Sequence, residues 1–121
     1  MDKESSASER RRFHRLGSAL PLQYKNLRKI GASPTGSLTR NLSEGGVCFE
    51  TGEFISLACR LVLEINLPTS PKPIKAISKV AWIRRIPSSD HYELGNQFLD
   101  MTKEDKAVIA GFMNEALNAN P

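Results

Sequence analysis

The hydrophobic pattern along this chain changes character three times. Residues 1–9 are polar, rich in Ser and Glu, and read as a disordered tail. From residue 19 the apolar positions take period 2. Leu20, Leu22 and Tyr24 alternate through residues 19–27, which predicts a short strand with Pro21 near its start. Residues 28–36 (RKIGASPTG), with two glycines and Pro34, predict a turn or loop. A strand over 37–41, a tight turn at Glu44-Gly45-Gly46 and a returning strand over 47–50 follow as a hairpin. The cleanest alternation lies in 60–67 (RLVLEINL). Leu61, Leu63, Ile65 and Leu67 share one face, opposite Glu64 and Asn66, as in a half-buried antiparallel strand. Residues 68–73, with three prolines, form a connection. A long strand is expected over 74–86, with Ile74, Ala76, Val80 and Trp82 on one face and Lys75, Lys79 and Arg85 on the other. After a turn at Pro87-Ser88-Ser89-Asp90, residues 91–99 place Tyr92, Leu94 and Phe98 inward.

At residue 102 the period lengthens. Thr102-Lys103-Glu104-Asp105 matches the capping-box pattern and predicts a helix start at about Thr102. Ile109, Phe112, Met113 and Ala116 then keep helical spacing, with Val108 and Leu117 widening the stripe. Hairpin-linked strands followed by one amphipathic helix predict a mainly β protein, a small antiparallel barrel. The helix would pack against one side or cover one end. No internal repeat or second domain is visible.

Composition narrows the reading. A chain of 121 residues that is 40% apolar suits one domain with a buried core. No apolar run approaches the roughly 18–20 residues of a membrane helix, and the N-terminal residues lack a secretory apolar segment, so a cytoplasmic location is expected. Cys48 and Cys59 form no C-x-x-C pair and have few histidine neighbours. Two buried thiols in a reducing compartment is the favoured account. The net charge of +4 is unevenly spread: residues 1–40 carry nine Lys/Arg against three Asp/Glu, and residues 41–121 carry eight against ten. An anionic partner is expected at the N-terminal third.

The sharpest feature of that third is Glu9-Arg10-Arg11-Arg12-Phe13-His14-Arg15. A guanidinium donates bidentately to phosphate or to the Hoogsteen edge of guanine, and its flat face stacks on rings. Only Arg11 and Arg15 stand four apart, a spacing that shares a side on an extended chain and neighbours on a helix. Taken alone, a solvated basic run is the stronger reading. The second feature is Asn41-Leu42-Ser43-Glu44-Gly45-Gly46. Strand alternation would put the Asn41 carboxamide and the Ser43 hydroxyl on one face, ready to bond a base edge or phosphate, with Leu42 in the core. Gly46 suits a turn needing positive φ or a close backbone approach. Taken alone, this is an ordinary hairpin turn.

Together the two segments resemble the signature motifs of the PilZ domain family, Arg-x-x-x-Arg (Arg11, Arg15) followed by Asn-x-Ser-x-x-Gly (Asn41, Ser43, Gly46). Val80-Ala81-Trp82 and Tyr92-Glu93-Leu94-Gly95-Asn96-Gln97-Phe98 also look like later strands of that family, with Asn96 a departure where an aliphatic residue is expected. The resemblance divides the chain into a flexible tail (1–8) and a PilZ-like domain (9–118). It implies a six-stranded antiparallel β-barrel with a C-terminal α-helix, binding the second messenger cyclic di-GMP and no other cofactor.

On that resemblance Arg11 and Arg15 would contact phosphate and guanine edges. Asn41 and Ser43 would bond a guanine edge, and Gly46 would shape the turn. Arg10 and Arg12 are weaker candidates, and an arginine at position 10 leans towards an intercalated pair of ligands. Trp82 would stack on a base, with core packing an equal alternative. Ordering of the arginine arm on binding would present a surface to an unidentified effector protein. Two other classes compete. One is a nucleic-acid-binding barrel with a basic arm, against which stand the few exposed aromatics and the negative body. The other is a protein-interaction domain without ligand. An enzyme is not expected, since His14 and His91 lack metal or triad context and no phosphate-binding glycine loop is present.

Overall fold

The computed structural model describes residues 17, 19–29 and 31–118. Among them the period-2 segments form six strands: β1 (Pro21–Asn26), β2 (Thr35–Leu42), β3 (Gly46–Thr51), β4 (Arg60–Ile65), β5 (Ile74–Arg85) and β6 (Tyr92–Asp100). One helix, α1 (Lys103–Asn118), follows. Neighbouring strands run antiparallel in the order β1-β2-β3-β6-β5-β4, and β4 returns to β1, so the sheet closes into a barrel without a free edge.

Alternation fills the interior. Leu22 and Tyr24 of β1, Leu42 of β2, Val47 and Phe49 of β3, and Leu94 of β6 all join one buried cluster. The three β4 positions singled out by their spacing, Leu61, Leu63 and Ile65, are completely enclosed there. Burying side chains of this size contributes roughly 1.5–3 kcal/mol each, and this term drives closure.

Three register shifts interrupt the pattern, with Arg40 the extra residue in β2, Leu99 in β6 opposite Ile77 and Ser78, and Ala81 in β5 between Val80 and Trp82. An extra residue in one strand reverses which side chains face inward. Val80 is therefore in the core, while Trp82 is 40% exposed on the outer surface. This corrects the expectation that Trp82 shares the inner face of Ile74, Ala76 and Val80. Strict period 2 fails at the bulge.

Both barrel ends are closed. At the end where β4 finishes and β5 begins, Thr102 caps α1: its Oγ1 accepts the Asp105 N–H at 3.1 Å. A reciprocal capping box would turn the Asp105 carboxylate back to the cap. Here it accepts the Lys75 N–H at 3.0 Å instead, which ties the first helical turn to β5. Ile109, Phe112 and Met113 then enter the core cluster, with Val108 packed against it. Leu117 stays exposed. The opposite end is stoppered by Ile55 from the β3–β4 loop.

Tyr24 sits in this core with its ring tilted against Phe49, centroids 5.0 Å apart. Its hydroxyl shares a 2.6 Å hydrogen bond with Thr51 Oγ1 and donates to Glu53 Oε2 at 3.3 Å. Burial, opposed by the Thr51 bond and reinforced by the Glu53 charge, raises the phenol pKa above its ordinary 10.0. The folded state thus holds the proton more tightly than the unfolded chain. The Tyr24 contribution is complete below pH 10.0 and is lost as pH climbs through the raised folded value. The urea midpoint of the wild type should fall more steeply above pH 10.0 than that of Tyr24→Phe, which has no phenol to ionise. Equal slopes would show that Tyr24 does not couple to folding.

Candidate functional site

The hairpin from β2 into β3 is held by one side chain. Ser43 Oγ accepts the N–H groups of Gly45 and Gly46, each at 3.2 Å, and lies 3.3 Å from the Gly46 carbonyl, to which it donates. The Ser43 N–H donates to that same carbonyl at 2.9 Å. The Phe98 N–H donates to the Gly45 carbonyl at 3.0 Å, locking the turn onto β6. Simple alternation would place Ser43 outward beside Asn41, but β2 ends at Leu42 and Ser43 is only 3% exposed. Its hydroxyl is engaged in the turn.

Gly46 is required by space. A Cβ there would overlap the backbone carbonyl oxygen of Asn96 across the β3–β6 pair. Of the two reasons for glycine offered by the sequence, close backbone approach is the one that operates. Asn96 itself points inward, where its Oδ1 accepts the Ser78 hydroxyl at 3.1 Å. Among the described residues its buried Nδ2 has no hydrogen-bond partner, so an amide at this position is a packing liability.

Cross-strand pairing sets the outer face. Asn41 pairs with Cys48, Cys48 with Gly95, and Gly95 with Trp82, a single row across β2, β3, β6 and β5. Three strand spacings separate its ends, about 14 Å. The Trp82 indole lies over Gly95, so close that a Cβ at Gly95 would overlap the ring. Gly95 thus creates the seat for an exposed aromatic plate. A glycine inside a strand pattern is the signal that could have revealed it.

The adjoining row is charged. Glu50 and Glu93 face each other across β3 and β6, an arrangement that needs cations. Arg40, at the β2 bulge, bridges both, with Nε 2.8 Å from Glu93 Oε2 and Nη1 3.2 Å from Glu50 Oε1. Arg84 pairs with the other Glu93 oxygen, and His91 Nδ1 lies 2.6 Å from Glu50 Oε2. Glu93 is only 6% exposed, and its two arginines compensate the buried charge. None of these residues stands out in the sequence, because Arg40 and Glu93 are far apart in the chain and meet only when β3 pairs with β6.

Gly17, two residues after Arg15 in the sequence, lies beside this face. A Cβ on Gly17 would lie 3.8 Å from the Arg40 carbonyl oxygen, so Gly17 runs beside β2 one residue before Asn41. Reciprocal bonds between Leu20 and Thr39, both 2.9 Å, hold the following residues there. Arg10, Arg11, Arg12 and Arg15 lie outside the described residues. The structure therefore brings Asn41 and Trp82 into one row, with Gly46 and Ser43 building the turn beside it. Among the described residues no group of three or more His, Cys, Asp or Glu side chains could hold a metal ion. No described helix is long and apolar enough to cross a membrane.

Known structures share this barrel. The chain superposes on Bacillus subtilis inhibitor of motility MotI/DgrA with a TM-score of 0.73 at 20% identity, covering 90% of this chain and 52% of that one. The PilZ domain of Escherichia coli YcgR, solved with c-di-GMP, gives a TM-score of 0.65 at 18% identity and covers 91% and 96%. The K. pneumonia MrkH–c-di-GMP complex gives 0.67 at 16% identity, covering 89% and 52%. The chain spans about half the length of MotI and of MrkH. No curated protein matches it. The family model of the PilZ domain matches residues 9–115, nearly the whole chain, and the protein belongs to the PilZ domain family.

Proposed function

We propose that this protein is a cyclic di-GMP receptor, holding the dinucleotide between its N-terminal arginines and the outer barrel face. The observation that carries this reading is the row from Asn41 to Trp82, with Gly17 entering beside it. Arg15 is two residues upstream of Gly17, so covalent geometry alone keeps their Cα atoms within roughly 7 Å. Family membership and the ligand named in the YcgR and MrkH structures support the same identification.

The division of labour follows from chemistry. Arg11 and Arg15 neutralise phosphates and bond guanine O6 and N7, with Arg10 and Arg12 in lesser roles. Asn41 offers a carboxamide to a guanine edge. Ser43 and Gly46 act one step back, by closing the turn that follows Asn41. The Trp82 indole supplies a flat surface for a purine. Binding draws the arginine segment across the barrel face, and the surface so formed is read by an effector protein. An arginine at position 10 favours two stacked ligands.

Trp82 is the only tryptophan of the chain, so its emission reports on this site alone. Adding cyclic di-GMP should change that emission saturably. Trp82→Ala should weaken binding, followed by calorimetry, by about 1–3 kcal/mol, the range for base–aromatic stacking. Unchanged emission at saturating ligand would remove Trp82 from the site.

A further inference from the structure

The barrel end remote from α1 carries a feature that the dinucleotide reading does not use. The β3–β4 loop holds Ile55 inward as the core stopper, while Phe54 is 62% and Leu57 58% exposed. This outward display is built into the loop. The Cys59 N–H donates to the Ser56 carbonyl at 3.2 Å, closing a turn with Leu57 at its tip. Ala58 is held at φ 67°, a left-handed conformation disfavoured by its Cβ. Its N–H bonds the Val80 carbonyl at 2.9 Å, and the Val80 N–H returns to the Cys59 carbonyl at 3.0 Å. Phe54 is steadied edge-on against Tyr92, ring centroids 5.7 Å apart.

Cations share this end of the barrel. The loop after β1 is tied to the same end, since the Leu27 N–H donates to the Arg60 carbonyl at 3.0 Å and Asn26 Nδ2 bonds Cys59 Sγ at 3.2 Å. Lys25, Lys29 and Phe54 line one open groove of about 270 Å³. Arg28, Lys29 and Arg60 are exposed, and Glu53 is the one acid in these two loops, residues 25–33 and 52–60. Protruding apolar side chains on an end that also carries lysine and arginine match the boundary of an anionic bilayer, where rings and aliphatic tips enter and cations meet phosphate. A protein partner would call for a broader packed apolar centre than two tip residues provide.

We propose that this end of the barrel docks on an anionic phospholipid surface. Phe54 and Leu57 enter the interface, and Lys25, Arg28, Lys29 and Arg60 contact lipid phosphates. The reading does not depend on cyclic di-GMP, because this surface lies at a barrel end and the Asn41–Trp82 row lies on the outer wall.

Co-sedimentation of the full chain with vesicles tests it. Vesicles of equimolar phosphatidylcholine and phosphatidylglycerol should bind the protein, and vesicles of phosphatidylcholine alone should not. Phe54→Ser with Leu57→Ser, and separately Arg28→Glu with Lys29→Glu, should each weaken binding at least about tenfold. These positions are exposed, and circular dichroism should show both variants folded. Binding that survives both double substitutions would place the contact elsewhere, on the N-terminal arginines, and overturn the proposal. No binding to either vesicle would also overturn it. So would a Leu57-dependent self-association in sedimentation velocity, which would make the surface a protein interface.

Discussion

Arg15→Ala is expected to weaken cyclic di-GMP binding at least about tenfold, and to leave the barrel folded. One charge-assisted hydrogen bond contributes roughly 1.5–3 kcal/mol, and a guanidinium that grips phosphate or the guanine edge makes more than one. The effect should be selective. Arg11 and Arg15 stand four apart, whereas the residue four on from Arg12 is Leu16. Arg12→Ala should therefore lose markedly less, an effect confined to local charge. Calorimetric titration of both variants alongside the wild type checks the contrast. Equal losses would mean that the segment acts as an undifferentiated basic run, and no loss in Arg15→Ala would take it out of the site.

The largest effect on stability is expected from the smallest substitution, Gly46→Ala. The added methyl group would overlap the Asn96 carbonyl, a backbone atom of the neighbouring strand that cannot swing aside as a side chain can. Relief requires β3 and β6 to part at the pair Gly46 and Gln97, beside the turn that Ser43 and Gly45 hold. A loss of about 3 kcal/mol is expected, a large share of the roughly 5–15 kcal/mol that holds a domain folded. Gly36→Ala is the matched control: among the described residues nothing lies within 4 Å of a Cβ there, and the change should be within about 0.5 kcal/mol. Urea unfolding of the two variants distinguishes these outcomes. A Gly46→Ala protein as stable as the control would show that the strands yield easily.

These contrasts also mark what could be read from the chain alone. Period 2 in RLVLEINL located β4 and its three enclosed side chains, because a strand with one buried face has no other way to place them. The capping pattern at Thr102 located α1, although Asp105 turned out to bond Lys75 of β5. Trp82 escaped because a bulge moves the frame by one residue, and nothing in the local pattern announces the extra Ala81. Ser43 escaped because alternation was continued one residue past the strand end at Leu42. Glu93 reads as an ordinary solvent-facing strand acid; Arg84 faces it across the β5–β6 hairpin, and Arg40 of β2 reaches it only once β3 pairs with β6. Motif spacing can locate a site, but the side chains that brace it come from distant segments.

The direct measurement is isothermal titration of cyclic di-GMP into the wild-type protein. Saturable heat is expected, with two ligands per chain if Arg10 favours a stacked pair as proposed. Absence of heat at high ligand concentration, with the barrel intact by circular dichroism, would contradict the receptor assignment.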